Sequence, residues 1–114
     1  MEKEIKKELL TREGIKEVYE IMKNSKSFYD VEVVNYDCIE FAYEGVSLIL
    51  YQDYEGYVLR HMFVRDLHTK FKNDETADNI VLGIAEYMDD YLGYAAELEF
   101  MKKYNSEVQN IQYI

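Results

Sequence analysis

Few residues in this chain have side chains that could carry out catalysis or bind a transition metal. Two histidines, His61 and His68, and a single cysteine, Cys38, show none of the spacings typical of zinc ligands. Cys38 and His61 fall on nearby predicted strands, where a thiol beside an imidazole could act as a nucleophile and its base. A lone cysteine is, however, far more typical of a small buried residue.

Paired carboxylates are the other candidates for chemistry. Asp89-Asp90 and Glu97-x-Glu99 could hold Mg²⁺ or Ca²⁺, but neither pair lies in an EF-hand loop. The sequence also has no glycine-rich loop of the kind that binds nucleotide phosphates and no G-x-S-x-G turn that presents a catalytic serine. We therefore predict that the protein is not an enzyme and has no metal, no cofactor and no catalytic residue.

The distribution of charge is the most informative feature of the sequence. Residues 1–27 hold seven bases and six acids, for +1, while the remaining 87 residues hold six bases and 17 acids, for −11, which gives a net charge of −10. No Lys or Arg occurs between Lys26 and Arg60, or between Lys72 and Lys102. Because folded domains usually intersperse the two signs, such segregation indicates a negative field that repels nucleic acid and attracts basic surfaces.

Size and composition indicate a single compact domain over 1–114. Apolar residues make up 48% of the chain, which is well above the level of a disordered acidic segment. The single cysteine excludes an internal disulfide framework and favours a reducing compartment. No apolar run reaches the ~18 residues of a membrane span, and the charged N-terminus is unlike a signal peptide. We expect a cytoplasmic protein with no membrane contact.

The hydrophobic pattern predicts an α+β fold with N-terminal helices, a four-stranded antiparallel β-meander and a long C-terminal amphipathic helix. Residues 1–27 are predicted helical, with a break capped by Thr11, and 28–64 are predicted to form the sheet. Joints of two to four residues between the strands require antiparallel neighbours. The segment 65–73 is ambiguous, although Leu67 and Phe71 could form one helical turn. A helix over 74–104, capped by Asn73 or Asp74, completes the chain.

The C-terminal helix has one apolar face and one acidic face at 100° per residue. Acids in its first turn favour the helix dipole without any other role. Acids in its middle repel one another, since positions three and four apart are neighbours and no base lies among them. Leu82 falls within the acidic arc, where an apolar side chain could anchor a partner. The residues that we predict to bind a partner on this face are Asp78, Leu82, Glu86, Asp89, Asp90 and Glu97.

A second predicted surface lies at one hairpin. Tyrosine occurs 12 times, a frequency that an AT-rich genome and the strand preference of tyrosine would also explain. Tyr offers a large contact area with few rotors to freeze. Carboxylates among aromatic rings would suit an Arg-rich groove, by ion pairing and by stacking. The residues that we predict to form an exposed recognition tip here are Asp53, Tyr54, Glu55 and Tyr57, with Tyr51 beside them.

At the level of class alone, the compact build, acidic stripes and Tyr content resemble small phage-encoded inhibitors of host defence, the anti-CRISPR and anti-restriction proteins. The resemblance implies a charge mimic that binds the basic, nucleic-acid-binding surface of a larger nuclease or effector, and no motif assigns a role to any residue. An immunity or antitoxin protein that neutralises a basic nuclease toxin would use the same physics. A non-catalytic phage or housekeeping scaffold, acidic only for solubility, is the third interpretation. Homodimer formation stays open.

Overall fold

The computed structural model describes residues 8–62 and 68–93. They form two helices and a five-stranded antiparallel sheet, which confirms the α+β class. The elements are α1 (Glu13–Asn24), β1 (Phe28–Asn35), β2 (Cys38–Tyr43), β3 (Val46–Gln52), β4 (Gly56–His61) and β5 (His68–Lys72), and then α2, which begins at residue 77 and is helical through 93.

Two compact units divide the chain, Met1–Ile84 and Ala85–Ile114. The prediction of one domain over 1–114 stays a prediction. Most of the predicted helical segment before Thr11, and the part of the predicted C-terminal helix after residue 93, lie outside the described residues. In the described part of the chain, neither helix is long and apolar enough to cross a membrane.

The sheet is a meander in the order β1-β2-β3-β4-β5. The predicted four strands are therefore one too few, and the proposed helical turn at Phe71 is wrong. Phe71 lies in β5 and pairs with Tyr57 of β4. The sequence did not predict β5 because three of its five residues are His or Lys. These side chains are exposed to solvent, so the strand has little apolar periodicity.

The inner face of the sheet carries the core of the first unit. One row of Cα partners crosses all five strands on this face, through Val33, Ile39, Leu50, Leu59 and Thr69. The first four of these side chains are buried. Helix α1 adds its predicted apolar face, since Ile15, Val18, Tyr19 and Met22 are all buried. Ala77, Ile80 and Ile84 of α2 are buried as well, and Gly83 of α2 faces the Phe71 ring.

The N–H groups at the start of helix α1 are accepted by side chains that lie far away in the sequence. The predicted cap, Thr11, does not supply it: the N-cap position is Arg12, whose side chain makes no cap hydrogen bond. The Asp37 carboxylate instead accepts hydrogen bonds from the N–H groups of Thr11 at 2.7 Å and Arg12 at 3.0 Å. The buried Gln52 Oε1 accepts the Ile15 N–H at 2.9 Å. The turn after β1 and the end of β3 thus hold the start of the helix.

Helix α2 begins three residues later than predicted. Its first turn is capped by the Thr76 hydroxyl, which accepts the Asn79 N–H at 3.2 Å. Neither predicted cap, Asn73 or Asp74, has this role. Asn73 Oδ1 accepts a hydrogen bond from Gln52 Nε2 at 2.7 Å instead, so the residue is needed by the sheet and is not available to the helix.

Candidate partner-binding surface

A groove lies between α1 and the start of α2 in the first unit. It has a volume of about 790 Å³ and is lined by Lys16, Glu17, Glu20, Ile21, Thr76, Ala77 and Asp78. The amphipathic spacing of α1 produces one wall: the apolar side faces the core, and this leaves Glu17 and Glu20 exposed one turn apart. We call this feature the acidic groove.

The acidic groove has a negative electrostatic character. Three carboxylates line it, at Glu17, Glu20 and Asp78, against one base, Lys16. The Lys16 ammonium lies 3.9 Å from Glu13 on the preceding turn, so part of its charge is already balanced. Burial, and after it the Glu17 carboxylate, raises the pKa of Tyr57.

Apolar atoms lie among these charges. Ile21 is half-buried at the groove wall, and Ala77 is buried at its base. Leu82, which lies one helical turn beyond Asp78, is 57% exposed. A floor of this kind suits the aliphatic stem of an Arg or Lys side chain whose charged end reaches the carboxylates. The arrangement can bind a cationic side chain and contains no group placed for covalent chemistry.

The second unit carries the remaining predicted acids of α2. Glu86, Asp89 and Asp90 are all exposed, while Met88 between them is fully buried, as the helical pattern predicts. No Lys or Arg occurs between Lys72 and Lys102, so the helix itself offers no base to relieve their repulsion. Glu97 lies outside the described residues. The role of these acids in binding a partner stays a prediction.

Only part of the predicted hairpin surface is exposed. Tyr54 is 77% exposed and Glu55 is exposed. Asp53 is half-buried, and its carboxylate closes the turn by accepting the N–H groups of Glu55 at 2.8 Å and Gly56 at 3.1 Å. This carboxylate therefore has a structural role that the sequence did not reveal.

Tyr57 is a correction, because the side chain predicted at the exposed tip is only 1% exposed. Its register partner is the buried Gln52, so the alternation of β4 turns Tyr57 to the inner face. Its hydroxyl has no hydrogen-bond partner among the residues that the structure describes. Tyr51 alternates to the other face and is half-buried.

Sequence reasoning missed Glu17 and Glu20. They fall in residues 1–27, where the net charge of +1 gives no sign of an acidic surface. The signal that could have found them was local: the two acids lie three apart, on the exposed side of a helix whose other side is apolar. What the sequence could not supply was the proximity of Asp78, which only the packing of the two helices creates.

The candidates for catalysis are separated in the fold. Cys38 lies on β2 and pairs with Tyr51, while His61 lies on β4 and pairs with Leu48. Strand β3 stands between them, and strand alternation turns the two side chains to opposite faces, so the considered nucleophile–base pair does not form. Burial, and after it Glu40, raises the pKa of the Cys38 thiol. Within residues 8–62 and 68–93, no three His, Cys, Asp or Glu side chains are placed to share a metal ion.

Comparison with known proteins gave no match: no family model and no curated protein sequence matches the chain, and no solved structure matches its fold.

Proposed function

We propose that this protein is a small acidic inhibitor, of the kind encoded by phages and mobile elements, that binds the basic, nucleic-acid-binding surface of a larger protein by charge mimicry. The observation that supports this most directly is the acidic groove, where three carboxylates from two helices surround an apolar floor. Such a site matches Arg or Lys side chains that would otherwise contact phosphates.

The two kinds of group in the acidic groove have different parts in this proposal. Glu17, Glu20 and Asp78 provide the charge that attracts a cationic surface and orients it. Ile21 and Ala77 provide contact area that excludes water once the partner is bound, which strengthens the ion pairs. Direct binding of nucleic acid is disfavoured, because these carboxylates would face phosphates of the same sign.

The second unit carries exposed acids of its own. Glu86, Asp89 and Asp90 are exposed on a helix that has no base among its described residues. Charges of this kind raise the rate of encounter more than the strength of the final complex. In the proposed function, they attract the partner and the acidic groove holds it.

The first prediction concerns the acidic groove. Glu17→Lys/Glu20→Lys should weaken binding of a ten-residue arginine peptide by at least about tenfold, because attraction becomes repulsion at the contact. Glu8→Lys/Glu44→Lys is the matched control: it changes the net charge equally, from −10 to −6, at exposed residues outside the groove. The control should weaken binding by less than about threefold. Fluorescence anisotropy of the labelled peptide measures both, beside thermal melts.

Equal weakening by the two variants would contradict the proposal, since net charge alone would then account for binding.

A natural partner, recovered from bacterial lysate, allows a direct test of mimicry. Its own DNA or RNA should be displaced by the inhibitor in a gel-shift titration, and a ternary complex with full nucleic-acid affinity would refute mimicry. The on-rate should also fall steeply between about 0.05 and 0.3 M salt, as the Debye length contracts.

A further inference from the structure

The outer face of the sheet, opposite the core, carries an ordered row of side chains. Register partners link Glu32 of β1 to Glu40 of β2, then to Ile49 of β3, Arg60 of β4 and His68 of β5. All five positions are exposed or half-buried. Read across the strands, the row therefore runs from two acids, through one apolar residue, to two basic residues.

The neighbouring positions continue this division of charge. Lys70 and Lys72 are exposed on the same face of β5, which makes the β4–β5 side the basic half in a chain of net charge −10. Neither Arg60 nor Lys70 has an ion-pair partner among the described residues. An unpaired guanidinium and ammonium on an acidic protein attract carboxylates. The other half of the same face carries such carboxylates, at Glu32 and Glu40.

We propose that this face binds a second copy of the chain, related by a two-fold axis that runs parallel to β3. A rotation of 180° about such an axis reverses the strand order, so β1 and β2 of one copy face β5 and β4 of the other. Glu32 and Glu40 then oppose His68 and Arg60 in both halves of the interface, and Ile49 meets its own counterpart. An axis perpendicular to the strands would instead place acids on acids, so the charge order selects one of the two packings.

The basic half also has a shape that accepts a side chain. A shallow depression of about 240 Å³ lies there, lined by Tyr51, Val58, Arg60, His68 and Lys70. A glutamate from the facing β2 would place its carboxylate among the cationic ends and its methylenes against Val58 and the Tyr51 ring. The face is only roughly 20 Å on each side at ordinary strand spacings. Such an interface is smaller than those of most stable complexes, so we expect a weak dimer of micromolar to millimolar affinity.

This inference is independent of the proposed function. The acidic groove lies on the helical side of the sheet in the first unit, so pairing through the outer face leaves one groove open in each copy. Dimerisation would therefore supply two binding sites for a partner that presents two basic surfaces.

The second prediction, which tests this inference, uses two charge-swap variants. Glu32→Lys/Glu40→Lys makes the outer face basic in both halves, and Arg60→Glu/His68→Glu makes it acidic in both. Each variant alone should associate at least about tenfold more weakly than the wild type, because like charges then face each other. A 1:1 mixture should form a heterodimer, since all facing pairs become opposite in sign. Sedimentation equilibrium measures all four samples.

An effect of net charge alone would change dimerisation in the opposite direction, so the experiment can distinguish it from contacts between the two faces. The first variant has a net charge of −6 against −10 for the wild type, so diffuse repulsion alone would make it dimerise more tightly. Glu44→Lys/Glu55→Lys also has a net charge of −6 and should still dimerise, because neither position is on the outer face. Glu32→Lys alone, at an exposed position, gives a milder test if the double variant melts early. A wild type that stays monomeric at millimolar concentration, or a mixture of folded variants that does not associate, would overturn the proposal.

Discussion

Replacing Asp37 by alanine is expected to lower the free energy of unfolding by about 2–3 kcal/mol. The Asp37 carboxylate accepts the Thr11 and Arg12 N–H groups and the Thr11 hydroxyl, and it lies 3.4 Å from Arg12 Nε. Its backbone also has a φ of +49°, which aspartate and asparagine tolerate better than alanine. Urea denaturation followed by circular dichroism measures the loss.

Two further variants separate the causes of this loss. Asp37→Gly removes the carboxylate without backbone strain, and Asp37→Asn keeps the turn and one acceptor oxygen but removes the charge. We expect Asp37→Asn to cost less than Asp37→Gly, and Asp37→Ala to cost the most. An Asp37→Ala protein as stable as the wild type would show that water replaces this cap at no cost.

The same residue should make stability depend on pH. Partial burial of the Asp37 carboxyl opposes its ionisation, but hydrogen bonds from Arg12 and Thr11 and the Arg12 charge outweigh that effect and hold the pKa of Asp37 below its ordinary value. The ionised form is therefore favoured by folding. Its contribution is fully present above the unfolded pKa of about 3.9 and is lost as the pH falls through the lower folded value. The stability gap between wild type and Asp37→Asn should accordingly narrow between pH 5 and about pH 2.

Gly14→Ala is the fifth prediction, and helix propensity and core packing have opposite effects on the stability of this variant. An alanine for glycine in a helix normally stabilises by about 1 kcal/mol. Here the added Cβ would overlap the buried Tyr57 hydroxyl. Relieving such a contact in a packed interior costs typically 1–3 kcal/mol. We expect a net loss of about 1–2 kcal/mol, because the overlap outweighs the helix propensity.

A double-mutant cycle with Tyr57→Phe identifies the cause. Tyr57→Phe alone should stabilise the protein by about 1 kcal/mol, since it removes a buried hydroxyl for which the described part of the chain offers no hydrogen-bond partner. In that background the new Cβ would lie 3.0 Å from Gln52 Nε2 and 3.1 Å from the Tyr57 ring carbon Cζ, two tight contacts that a small shift relieves. Gly14→Ala should then become nearly neutral. Additive effects in the cycle would mean that the hydroxyl is not the obstacle.

Features that depend on neighbouring residues were predictable from the sequence. The apolar spacing of Ile15, Val18, Tyr19 and Met22 gave α1 its buried face, and β1 to β4 followed from alternation and short joints. The exposure of Glu86, Asp89 and Asp90 followed from the same helical period. In each case the side-chain pattern repeats with the geometry of the backbone, so one segment contains the whole signal.

Features that depend on distant residues were decided by the tertiary structure. Strand β5 forms because β4 offers an unpaired edge, and Tyr57 turns inward because its register partner is Gln52. The N–H groups at the start of α1 are accepted by Asp37 and Gln52, which lie about 25 and 37 residues later in the chain. The acidic groove needs α1 beside α2, and the charge row of the outer face needs all five strands in register. The sequence by itself determined how much negative charge the protein carries and which local segments are amphipathic. Which charges share a surface was set by strand register and helix packing, because these bring together residues that no local period connects.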